Sequence, residues 1–427
     1  MGSVGVATTE KMEEERVVAG QKHQWPPVII LNLFYSGLGI ARDMAGHGVR
    51  VVGLSAHRDI YGNFTRLCEV RSSPNSQEQP EKLAEFLLQA AEELQGAIIF
   101  PTRDADVLFL DRFRDELGAC YRLAIPPRHV LSRVINKNAL VNAARHAEVP
   151  VPRTATVSDA SQLARAADEV GFPCVVKPVS SVHWRKGNNW NLVGGRKAFR
   201  VNNLVELQQQ YSRLAPVHPE LLVQEWIPGS VDQIVILGGY VDERSEPLAY
   251  FTARKIVQSP EDFGTGCVVE SRPIPDLLEP SLRLWRVLSY QGMAEVEYKY
   301  DARDGKFKLI EINTRHWDWH QLGRASGINL TWAAYCHLSG TAVTPIQEPV
   351  RHAIWVAEDA LLMHVIASIY RRECRPLGLW RQISGRRMYG IFDWKDPMPF
   401  LRYSVGVLLP QLAKATANKI RGGVSEP

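Results

Sequence analysis

The sequence lacks most of what would mark an extracellular, membrane-spanning or nucleic-acid-binding protein. No run approaches the ~18 consecutive apolar residues that a membrane span requires. The six cysteines, Cys68, Cys120, Cys174, Cys267, Cys336 and Cys374, are scattered with no CxxC pair. That spacing argues against a zinc site or a disulfide framework and fits a reducing cytoplasm. Where a secretory signal would carry an apolar stretch, the N-terminus has Glu13-Glu14-Glu15, and residues 1–25 read as a disordered tail. Formal net charge is only +4, too small to imply nucleic acid. The excess is uneven, because residues 351–427 hold twelve Lys and Arg against six Asp and Glu, leaving the remainder slightly acidic. Internal repeats and low-complexity tracts are also missing.

What the sequence does contain centres on residues 292–315, GMAEVEYKYDARDGKFKLIEINTR. Two alternating runs flank Asp304-Gly305, a strong hairpin signal. Met293, Glu295, Glu297 and Lys299 then share one face, and Phe307, Leu309, Glu311 and Asn313 share a face of the second run, because side chains alternate along a strand. A turn centred on Asp304 sets Glu297 opposite Glu311. Opposed carboxylates with Cβ atoms about 4.5–5.5 Å apart repel, so a cation is expected between them. With the Asn313 carbonyl they form an all-oxygen set suited to Mg²⁺; a wet, solvent-exposed hairpin is the plainer reading of the stretch alone.

At 427 residues the chain exceeds a single core, so several units are expected. Val28–Leu33 and Val49–Leu54 read as strands around a glycine-containing turn, Ser36-Gly37-Leu38-Gly39, and a helix to Met44, a Rossmann-like opening. The GxG lacks the third glycine of a dinucleotide fingerprint. In PTRDAD, residues 101–106, Thr102 or Asp104 is the expected helix cap. The strand Phe172–Lys177 precedes residues 180–195, SSVHWRKGNNWNLVGG, which show neither helical nor strand period and read as a mobile loop. LLVQEW, residues 221–226, is a strand stopped by Pro228-Gly229, and PEDFGTG, residues 260–266, is a loop whose amides can approach an anion.

The order of these elements resembles the ATP-grasp superfamily, within it the carboxylate–amine ligases of the D-aspartate ligase type, and more distantly biotin carboxylase and D-alanine:D-alanine ligase. EINTR paired with AEVEY fourteen residues upstream is its most specific part, and the match runs from about Val28 to Gly340. The resemblance implies an α/β (α+β) fold: a Rossmann-like pre-ATP-grasp domain over 26–130, an ATP-grasp domain over 131–342 with subdomains 131–222 and 223–342, and a basic C-terminal extension over 343–427. It implies ATP with Mg²⁺, or Mn²⁺ in its place, as cofactors. Lys137, Lys177, Gln224, Glu225, Trp226, Ile227 and Asp232 then match nucleotide-binding positions, the hinge residues 224–227 through backbone groups.

Glu297, Glu311 and Asn313 match the metal ligands, Lys255 the residue reaching the terminal phosphate, and Arg315 the arginine that steadies an acyl phosphate and its tetrahedral adduct. The 180–195 loop resembles the flap over the phosphates, although its HWRKGNNW content departs from the glycine-serine flap of the D-alanine ligases. Gly37 and Arg42 at the first turn, and Gly264 and Thr265 in FGTG, are candidate substrate contacts. The implied reaction joins a small carboxylate to an amine in the cytoplasm, with a carboxylase or a non-catalytic nucleotide-binding module as alternatives. The oligomeric state is left open, with a homodimer as one expectation. Arg371, Arg372, Arg375, Arg381, Arg386 and Arg387, followed by apolar Phe400–Leu409, suggest contact with an anionic membrane or acidic polymer, against a plain solvated surface.

Overall fold

A computed structural model describes residues 25–58, 60–185, 187–260, 262–343, 351–370 and 385–410. The tail before Trp25 and the arginines at 371, 372, 375 and 381 lie outside the described residues. Three sheets organise the rest. The first is parallel and built from β1 (Val28–Leu31), β2 (Val51–Ser55), β3 (Glu69–Ser72), β4 (Ile98–Phe100) and β5 (Arg122–Leu123), in the order β3-β2-β1-β4-β5. Its central strand is apolar throughout because both faces are covered, as parallel sheets demand. Ile29 and Leu31 pack with Leu83 and Leu87, while Val28 and Ile30 meet Ile40 and Met44 of helix α1 (Tyr35–Met44).

The second sheet is antiparallel, order β6-β9-β7-β8, from β6 (Thr154–Val157), β7 (Cys174–Pro178), β8 (Phe199–Val201) and β9 (Leu221–Glu225). The third runs β14-β13-β10-β11-β12-β15-β16. Its members are β10 (Ile234–Val241), β11 (Pro247–Ser259), β12 (Thr265–Ser271), β13 (Gly292–Asp301), β14 (Lys306–Asn313), β15 (Ile354–Val356) and β16 (Arg387–Tyr389). Residues from the C-terminal stretch thus extend this sheet. Gly238 on β10 lies under the Trp317 indole, where a Cβ would stand 2.4 Å from a ring carbon, so only glycine admits that packing.

Arg42 does not serve as a substrate contact. It is 3% exposed, and its guanidinium donates to the carbonyls of Gly390 at 3.0 Å, Tyr389 at 3.2 Å and Ile391. A helix-surface position is converted here into an anchor for the C-terminal stretch. Gly37 is corrected likewise: its α-carbon packs so tightly on the Asn32 carbonyl that a Cβ would approach the oxygen to 1.9 Å, and it lies off the cavity described below. Arg42→Ala, which strands two buried acceptors and one partly buried, is expected to lower stability by about 3 kcal/mol in urea unfolding. Arg42→Lys should recover only part of this, because a single ammonium cannot reproduce the fork.

Candidate active site

The site is built on the β13–β14 hairpin. Glu295 pairs with Asn313, Val296 with Ile312 and Glu297 with Glu311, but Tyr298 pairs with Leu309, so Ile310 is the extra residue of a bulge. Nearer the turn, Asp301 pairs with Lys306, one residue away from a hairpin centred on Asp304. The bulge restores the register that the turn had shifted, and the two acids do face each other. It also divides the face expected of β14: Leu309 joins Tyr298 in the core, whereas Glu311 and Asn313 share the opposite face with Glu297 and Glu295.

That face forms the floor of a cavity of about 1280 Å³. Lys255, reaching across from β11, places its ammonium 2.6 Å from Glu297. Burial disfavours charge on Lys255, but Glu297 outweighs it and the pKa rises. Glu295, absent from the sequence-derived site, is buried beside Glu297, and burial followed by that charge pushes its carboxyl to about 8. Burial thus favours the neutral form of Glu295 over the charged one. Asn313 donates its Nδ2 to Glu295 at 2.8 Å, leaving its carbonyl oxygen to complete an oxygen donor set with Glu297 and Glu311. Two carboxylates and an amide oxygen fit a hard divalent cation that keeps waters.

The opposite wall supplies cations. Helix α2 (Asp104–Arg112) belongs to the first unit; α3 (Lys137–His146) opens with Lys137, its first turn capped by the Asn136 side chain. Lys137 lies 3.7 Å from Glu311. Glu311 keeps 37% of its side chain accessible, yet to the cavity rather than to open solvent. Burial opposes its ionisation, and Lys137, Lys197, Lys177 and Lys255 together reverse that and hold its pKa low. Lys177, on β7, donates to the Gln224 side chain at 2.7 Å. Burial and then the charge of Lys137 pull its pKa down to about 7.

An incoming polyphosphate would restore the charge on Lys177. Nucleotide binding is therefore expected to take up a proton above pH 7, and affinity should fall as pH rises, by up to about tenfold per unit. Calorimetry in buffers of different ionisation enthalpy measures that uptake, and Lys177→Met should abolish it.

Sequence reasoning missed two further groups. Lys197 donates to Thr265 at 3.2 Å and also faces the cavity. Asp104 is not a cap: Asp106 accepts the amides of Thr102 and Arg103, and Asp104 instead accepts Nε of Arg315 at 2.7 Å. The other oxygen of Asp104 stands 3.8 Å from Arg185. Arg185 ends α4 (Ser181–Arg185), so the loop expected to be irregular carries a helix here, and a second short one over Asn189–Leu192. The alternation of β13 already contained the signal for Glu295; nothing local signalled Asp104, whose partner is 211 residues away.

At the far end lie the residues expected to hold a base. The amides of Glu225 and Trp226 are used within the fold, bonding Arg153 O at 2.8 Å and Pro173 O at 3.2 Å, and the Glu225 carboxylate turns away to Arg303. Gln224, Trp226 and Ile227 line the cavity, and the Trp226 ring carries Arg200 and Lys299 at 4.8 and 4.9 Å. Asp232 borders the same end, 3.7 Å from Arg254, itself paired to Glu270 at 2.7 Å. Gly264 and Thr265 line the cavity beside Phe263, which meets Trp226 edge to face. His316 and His320 are core residues, bound to Thr331 and to Asp43 and Trp317 O.

No protein-family model matches the sequence. The chain is 23% identical over 280 residues to the D-aspartate ligase of Enterococcus faecium, a match covering 62% of this chain and 65% of the relative. It is 25% identical over 173 residues to a D-alanine–D-alanine ligase of Pseudomonas putida, covering 39% of this chain and 50% of that one. The chain thus spans under two thirds of either relative. The fold is that of the biotin carboxylase–ATP complex from Campylobacter jejuni, with a TM-score of 0.61 at 18% identity over 78% of this chain and 75% of that one. The chain therefore has the fold of the ATP-grasp enzymes, and its sequence relatives include D-aspartate and D-alanine–D-alanine ligases.

Proposed function

We propose that the chain is an ATP-dependent ligase that joins a small carboxylate to an amine through an acyl phosphate, releasing ADP and phosphate. One observation carries the reading: Glu297 and Glu311 face each other in the same cavity as Lys137, Lys177, Lys255 and Arg315. Mg²⁺ held by Glu297, Glu311 and Asn313 would offset phosphate charge. Lys137 and Lys177 bind the polyphosphate as point charges, and Lys255 addresses the phosphate end nearest Glu297. A substrate carboxylate oxygen attacks the terminal phosphorus as the bond to ADP breaks; an amine then attacks the acyl carbon, phosphate leaves, and the amine proton passes to solvent. Arg315 stabilises the charge gathering on the attacked carbonyl oxygen. The 181–192 helices cover the phosphates and exclude water, which protects the acyl phosphate.

Gly264 and Thr265 border the acceptor side, and Asp232 the ribose end. The five described cysteines are all unpaired, in keeping with a cytoplasmic setting. The test is hydroxylamine trapping: with ATP, Mg²⁺ and a panel of D- and L-amino acids, a matching acid yields its hydroxamate. ADP release dependent on bicarbonate alone would establish a carboxylase instead, and silence across the panel with nucleotide still bound would establish a binding module.

A further inference from the structure

Twelve large apolar side chains are conspicuously exposed among the described residues, and five of them fall within residues 394–409. Trp394 is 86% exposed, and Met398, Leu401, Val405 and Leu409 follow it at helical spacing. Helix α5 (Glu358–Tyr370) anchors this segment through Asp359, which accepts from Tyr403 at 2.9 Å. Helix α6 (Met398–Tyr403) continues in a wider turn to Leu408. Its inner face is occupied: Phe400 packs on Phe392 at 5.4 Å and Tyr403 on Tyr61 at 5.4 Å. The outer face is apolar and no described residue covers it, and Phe64, 40% exposed, extends it beneath Arg402 at 5.6 Å.

The charge beside this stripe is mainly positive at the surface. Arg66, Lys395 and Arg402 are exposed, whereas Asp396 is buried and Asp393 half-buried. Asp396 is buried on the Thr65 hydroxyl and the Arg66 amide, and Asp393 accepts the Lys395 amide. An apolar helical face edged by cations, with a tryptophan at its rim, is the pattern of a segment lying in a bilayer interface. We propose that residues 394–409, with Phe64, dock this protein peripherally on an anionic lipid surface. A second copy of the chain is the weaker occupant, since a two-fold contact sets this cationic patch against itself. No described helix is long and apolar enough to cross a membrane.

The test is sedimentation of the full chain with vesicles of phosphatidylcholine alone or mixed with phosphatidylglycerol. The protein should pellet with the mixed vesicles only, and less at high salt. Trp394→Ser/Leu401→Ser and Lys395→Glu/Arg402→Glu should each reduce partitioning at least about tenfold with unchanged melting temperatures, since all four side chains are exposed. Three results would overturn the proposal: no vesicle binding, binding that the variants leave intact, or a dimer in sedimentation velocity that the Trp394→Ser/Leu401→Ser variant dissolves. None of these depends on ligase activity.

Discussion

Glu311→Gln is expected to remove hydroxamate formation by at least about 10³-fold while leaving the fold intact by circular dichroism. The substitution keeps shape but deletes one of two charges facing each other across the hairpin. Glu311 is also the acid on which Lys137, Lys177, Lys197 and Lys255 all act. Without it, the basic wall loses its counter-charge, so binding of metal-free ATP should be retained or strengthened even as turnover disappears. That divergence, read by equilibrium binding with and without Mg²⁺, separates a lost metal ligand from a collapsed nucleotide site. Undiminished turnover would remove Glu311 from the metal site and leave the pair with Lys137 as its role.

The hairpin was legible because it rests on local rules: side-chain alternation, a D-G turn and repulsion between opposed acids. Its register came out right although the turn sits one residue off, because the bulge at Ile310 compensates. A bulge has no sequence mark comparable to glycine in a turn, so the division of Leu309 from Glu311 could not be read. Arg42 failed for a different reason. A helix-surface arginine looks the same whether water or another segment covers it, and the carbonyls it meets lie 347 to 349 residues downstream. Asp104 shows the same limit: an acid at a helix start satisfies capping rules, and only the fold reveals that Asp106 took that task. The fold was therefore readable, since it depends on element order, whereas contacts between distant segments were not.

Arg315→Ala should lower kcat by about 10²–10³-fold with little change in nucleotide affinity, because its partners are Asp104 and the reacting end of the cavity rather than the hinge. Burial disfavours its charge, but Asp104 more than compensates and the guanidinium stays protonated across the accessible pH range. Asp104→Asn is the discriminating companion. If Asp104 only orients Arg315, the amide should retain much of the activity, since it can still accept from Nε. If Asp104 also ties down the flap through Arg185, the loss should appear as uncoupled hydrolysis, with ADP released in excess of amide because water reaches the acyl phosphate. The ratio of ADP to amide decides between them: unity with reduced rate assigns orientation alone, and a ratio well above unity assigns the latch. A full-rate Arg315→Ala enzyme would mean that charge on the attacked carbonyl is met elsewhere, and Lys197, a cavity cation bonded to Thr265, is a candidate to meet it.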